Sequence, residues 1–117
     1  MTQPVPGPRH RIVVLPWIRA AAQRVIMPDW LAITIGPVVL AWRDLDSIEL
    51  AHELAHVRQW RQHGVLFIPR YFLASHRAAR AGGDRYRDNV FEVEARAAEE
   101  VARALLAEHA WPEGSGA

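Results

Sequence analysis

Ser47-Ile48-Glu49-Leu50-Ala51-His52-Glu53-Leu54-Ala55-His56-Val57-Arg58-Gln59-Trp60-Arg61-Gln62-His63 carries the strongest local signal in the chain. Asp44 or Asp46 stands ahead of it as a helix cap, Gly64 follows as a stop, and Leu50, Leu54 and Val57 recur as an apolar stripe. That pattern predicts a helix over 47–63. Within it lies an HExxH sequence, His52 to His56. Side chains four apart on a helix lie one above the other. His52 and His56 can therefore aim two imidazoles at one point, as a zinc ion requires, with Glu53 on the flank where a carboxylate reaches a metal-held water. With six His and eight Glu in 117 residues, composition alone gives about 0.02 such motifs per chain, so the pattern stands above background.

Upstream, Ile12–Trp17 is a β-branched run that predicts a strand. Pro28 and Asp29 break the chain, and Trp30–Ile35 and Val38–Trp42 flank Gly36-Pro37 as a β-hairpin. Downstream, Val65–Arg80 predicts a second helix with a kink at Pro69, and a third runs from about Asn89 to His109. The expected fold is α+β: a small N-terminal antiparallel sheet or hairpin, then the HExxH helix and two further helices. Residues 1–8 read as a flexible leader, 9–111 as a single domain and 112–117 as a flexible Pro/Gly-rich tail.

Half of the residues are apolar and 23% are charged, enough for one modest core. There is no Cys, so disulfides and thiolate metal ligands are both excluded. The lack of Cys and of an apolar signal segment fits the cytoplasm, and no apolar run reaches the roughly 20 residues that span a bilayer. Seven Arg between Arg58 and Arg87, interleaved with Tyr71, Phe72 and Tyr86, could form a nucleic-acid face. The formal net charge of +1 favours a solvated helical surface instead.

A catalytic zinc site takes a third protein ligand. Phe91-Glu92-Val93-Glu94-Ala95 offers two. Helical steps from Glu94 give Ala97, Ala98, Val101 and Leu105, an apolar stripe, whereas steps from Glu92 give Ala95, Arg96, Glu99 and Arg103. A carboxylate in an apolar stripe needs a partner. Glu94 is the expected third ligand, with Glu92 the rival.

With these residues in view, the chain resembles the gluzincin zinc metallopeptidases, and in its short length their minimal members. The likeness covers roughly Trp30 to Leu106. It implies zinc held by His52, His56 and Glu94, with Glu53 as general base. It also implies an edge strand beside the cleft that takes an extended peptide, Val38–Trp42 or Trp30–Ile35 here. The family often carries an acidic residue four positions after its Glu ligand; here that position is Ala98, or Arg96 counted from Glu92. A donor to the oxyanion is expected from Tyr86, ahead of His63 and His76. The expected function is hydrolysis of peptide bonds in a peptide or protein substrate. The competing readings are a non-catalytic, zinc-stabilised protein-binding module and an Arg-rich nucleic-acid binder.

Overall fold

The computed structural model describes residues 8–18 and 32–115. The leader to Gly7, the break at Pro28-Asp29, and Trp30 and Leu31 of the expected strand lie outside the described residues. What is described is α+β, as expected: strands β1 (Arg11–Val14), β2 (Ala32–Ile35) and β3 (Val38–Ala41), then helices α1 (Ser47–His63), α2 (Phe67–Arg80) and α3 (Val90–Ser115). Short 3-10 turns occupy Pro16–Ile18 and Gly64–Leu66.

β2 and β3 form the expected hairpin, pairing Ile35 with Val38 and Ala32 with Ala41. Gly36 takes the first of the two turn positions at φ 59°, a left-handed backbone that glycine adopts without a Cβ clash. The sheet is mixed rather than wholly antiparallel: β1 lies parallel to β3, and the order is β1-β3-β2. More than twenty residues separate β1 from β3, which leaves room for the crossover that parallel pairing demands (a dozen or more residues). The Arg11 and Leu15 amides donate to the Pro37 and Ala41 carbonyls at 2.8 and 2.6 Å. Alternate residues of β3 thus serve β1, which leaves Val38 and Leu40 to pair with β2. By the same alternation the backbone of Ala32 and Thr34 faces outward along the edge of the sheet.

α1 begins where Asp46 closes a capping box. Its carboxylate accepts from the Glu49 amide at 2.7 Å, and the Glu49 carboxylate accepts from the Asp46 amide at 3.0 Å. One face of α1 packs on the sheet, where Ala32, Val39, Ala41 and Val57 are buried, with Leu45 and Leu54 against them. The opposite face meets α3. Pro69 falls in the first turn of α2, where a missing N–H breaks no helical bond, so the expected helix is present and runs on uninterrupted from Phe67 to Arg80. Phe67 joins the helices, its ring 5.3 Å from Trp60 and 5.1 Å from Phe91.

Asn89 sets the start of α3. It is fully buried; its Nδ2 donates to the Tyr71 carbonyl at 3.1 Å and to Ser75 Oγ at 2.9 Å, while its Oδ1 accepts from the Phe91 amide at 2.8 Å. One amide therefore caps α3 and ties it to α2. Replacing Asn89 by Ala is expected to cost about 1–3 kcal/mol, from the lost cap and the stranded buried partners. Urea denaturation measures this, and an unchanged midpoint would contradict the role assigned to Asn89.

Candidate metal centre

α1 brings His52 and His56 to the face that meets α3, and the first turn of α3 brings Glu92 between them. Glu92 Oε1 lies 3.1 Å from His52 Nε2 and 3.2 Å from His56 Nε2. Glu92 and His56 are buried, and the His52 side chain is nearly so. The other ring nitrogens are committed. His52 Nδ1 donates to Glu99 Oε2 at 2.6 Å, and His56 Nδ1 donates to Gln59 Oε1 at 2.8 Å.

The orientation of Gln59 is fixed by chemistry. It is 1% exposed, and its Nε2 donates to the Phe91 carbonyl at 3.0 Å and to Glu94 Oε1 at 2.7 Å. Both of those partners are acceptors, so the amide oxygen must face His56 and the proton must sit on His56 Nδ1. Glu99, an acceptor when ionised, sets the same tautomer on His52. In their neutral forms both rings therefore turn an Nε2 lone pair toward a carboxylate oxygen. Three electron-pair donors converge there with no proton to share, unless each ring takes up a second one or a cation lies among them. The 3.1–3.2 Å spacings approach the about 3.3 Å edge of a tetrahedron built with Zn–N and Zn–O bonds of about 2.0–2.1 Å. His52, His56 and Glu92 are thus a donor set that fits a divalent ion of the zinc type.

The electrostatics follow. Burial opposes protonation of both imidazoles, but the hydrogen bonds and charge of Glu92, with Glu53 nearby, outweigh it and raise both above the ordinary range. Burial likewise works against an ionised Glu92, yet His52, His56 and Tyr71 hold its carboxyl well below the usual carboxylate range. Tyr71 donates to Glu92 Oε2 at 2.5 Å, leaving Oε1 for the imidazoles. Glu53 is shifted upward, chiefly by burial and against the pull of the two histidines. Thr34 Oγ1 donates to Glu53 Oε1 at 2.9 Å, and Trp60 Nε1 donates to the Thr34 carbonyl at 3.0 Å.

A cavity of about 430 Å³ opens over these groups, lined by His52, Glu53, His56, Glu92, Thr34 and Tyr86. Ile33, Phe67, Ile68 and Phe72 give it an apolar wall.

His52, Glu53 and His56 thus lie together as the motif predicts. The expectation of Glu94 as third ligand is corrected: Glu92 meets the imidazoles, while Glu94 is exposed and accepts from Gln59. The buried stripe of α3 runs through Glu92 and Ala95, with Glu99 partly covered, whereas Ala97 and Val101 face solvent. Alanine sits equally well on either face, so the alanines of α3 gave a false phase. The acidic residue on a histidine is present after all, as Glu99, two turns beyond Glu92 rather than one. Of the expected oxyanion donors only Tyr86 lines the cavity. His76 is exposed, and His63 sits outside the cavity, accepting from Arg70 at 2.7 Å. Of the two expected edge strands, β2 borders the cavity, and β3 is interior to the sheet. Gln59 and Tyr71 were missed. Gln59 is one turn beyond His56 on the same face, which could have found it; no comparable signal marks Tyr71.

The raised imidazoles stabilise the metal-free fold below the usual imidazole value, and that contribution is lost as pH rises through their raised values. The lowered Glu92 stabilises it above the usual carboxylate value, a contribution lost progressively as pH falls from there through its lowered value. The metal-free protein is therefore expected to be most stable at roughly pH 5–6. A melting temperature that does not fall between pH 6 and 9 would contradict this. Glu92→Ala is expected to weaken zinc binding at least about 100-fold, and Glu94→Ala about tenfold, through the loosened Gln59. Calorimetric titration of the two variants reads the difference, and the reverse order would restore Glu94 as ligand. No family model matches the chain, and no curated protein and no solved structure matches it.

Proposed function

We propose that this protein is a zinc-dependent hydrolase of peptide bonds, with His52, His56 and Glu92 holding the metal and Glu53 acting as general base. The observation that carries the proposal is the convergence of three donors beneath an open cavity, with a fourth group, the half-buried Glu53, beside them. A purely structural zinc site closes its fourth position with protein, whereas a catalytic one leaves it open. The cavity therefore favours catalysis over a zinc-stabilised binding module.

Bound there, zinc would lower the pKa of a water and polarise a carbonyl. The protein's own groups do the rest. Thr34 holds one oxygen of Glu53 in place, leaving the other for a water in the cavity. Burial raises the proton affinity of Glu53, which suits it to accept a proton from that water and pass it to the leaving amine. Tyr86 lines the same cavity, and its phenol is held in the protonated form, by burial first and then by the charges of Glu92 and Glu53. It can donate to the oxyanion as charge develops there. Ala32 and Thr34 line the cavity from the edge of β2, where an extended peptide can add through the Ala32 backbone and the Thr34 amide, the Thr34 carbonyl being taken by Trp60.

Glu53→Gln is expected to retain zinc and to lower kcat/KM for peptide cleavage by about 10³-fold or more, since the general base is lost while the ligands stay. The measurement pairs metal analysis with cleavage of an unstructured protein substrate. Undiminished cleavage by zinc-loaded Glu53→Gln would remove the assigned base. A wild-type protein that binds zinc, unfolds on its removal and cuts nothing would favour the binding module.

A further inference from the structure

Leu54 to Gly83 is a run of thirty residues without an Asp or Glu, and it contains Arg58, Arg61, Arg70, Arg77 and Arg80 in a chain whose formal net charge is +1. All five guanidinium-bearing residues are exposed, and among the described residues none is ion-paired. Asp88, which shares a second cavity of about 560 Å³ with Arg70 and Arg77, is already engaged by the Asp84 amide at 2.7 Å. The same segment exposes large apolar side chains. Val65 is 81% and Phe72 67% accessible, and Leu66, Ile68 and Leu73 are exposed beside them.

Arg58 and Arg61 lie on α1, and the other features gather around the outward arc of α2. Phe67 and Ala78 are buried and Tyr71 is half-buried, spaced as one inward stripe of α2. Ile68, Phe72 and Leu73 lie on the arc that stripe leaves outside, with Val65 and Leu66 in the turn just before it. Arg80 follows in the last turn, with Arg70 and Arg77 on the flank turned away from Ile68 and Phe72. Five exposed apolar side chains within nine residues form a larger patch than isolated surface hydrophobes do.

We propose that this face docks on an anionic lipid surface. Apolar side chains would enter the headgroup boundary while the arginines pair with lipid phosphates. An acid-free basic segment with exposed Phe and branched aliphatics has the chemistry of interfacial binding. Phosphate-backbone recognition would use the arginines and leave Val65, Leu66 and Phe72 without a role. The described residues contain no helix long and apolar enough to cross a membrane, so the contact is with the surface. Ile68 and Phe72 also line the cavity, so docking sets the cavity mouth close to the lipid. The proposal stands independently of the metal.

The test is flotation of the full chain with phosphatidylcholine vesicles, with or without phosphatidylglycerol at about one lipid in four. The expected result is binding to the anionic vesicles at least about tenfold tighter than to neutral ones, weakening as salt rises. Val65→Ser with Leu66→Ser, both outside the cavity, is expected to reduce that binding about tenfold or more without changing zinc content or the circular dichroism spectrum. Arg77→Glu with Arg80→Glu is expected to do likewise. Absence of binding to anionic vesicles overturns the proposal. So does binding that neither pair of substitutions reduces, and so does salt-sensitive binding to single- or double-stranded nucleic acid with none to vesicles.

Discussion

One carboxylate oxygen, Glu92 Oε1, stands between two imidazole nitrogens, and the arrangement of the three helices follows from keeping it there. His52 and His56 are fixed relative to each other by a single turn of α1. Glu92 belongs to a different helix, so its distance from them is a packing variable. The protein fixes that variable with polar groups. Tyr71 holds the second oxygen of Glu92 from α2, and Asn89 ties the start of α3 to α2. Gln59 links α1 to the Phe91 carbonyl and to Glu94. Buried networks of this kind are costly when half-made. Here no buried side-chain nitrogen or oxygen among the described residues lacks a partner.

α1 serves two interfaces of opposite character. Its sheet-facing side is apolar and contributes Val57 and Leu54 to the core. Its α3-facing side carries His52, His56 and Gln59, side chains that would be poor core residues without one another. The division explains how a chain of this size keeps an acidic and imidazole cluster out of bulk water. The sheet supplies the hydrophobic support, and the cluster is sealed between helices except where the cavity opens.

The helix over 47–63 was legible in full, because an aspartate cap and a terminal glycine bracket it and an apolar stripe runs between them. The hairpin was legible from Gly36-Pro37. The parallel entry of β1 was not, since strand direction depends on a crossover and not on local pattern. At the site, the pair of histidines and Glu53 could be read from spacing alone. The identity of the acidic partner could not. Glu92 and Glu94 differ by two residues, so they lie on opposite sides of α3, and choosing between them needs the helix phase. The alanines of α3 carry no phase information, and its buried stripe is marked by charge rather than by hydrophobicity. An i+7 count from Glu92 reaches Glu99, and its closeness to His52 was hidden for the same reason.

The indole of Trp60 has an effect away from the chemistry. A sheet edge with free carbonyls invites another copy of the chain to add on, and repeated addition is how soluble proteins begin to aggregate. By occupying the Thr34 carbonyl, Trp60 removes one of the acceptors that such stacking would use, in the middle of a four-residue strand. A second molecule could not zip along this rim without first dislodging a ring packed against Phe67.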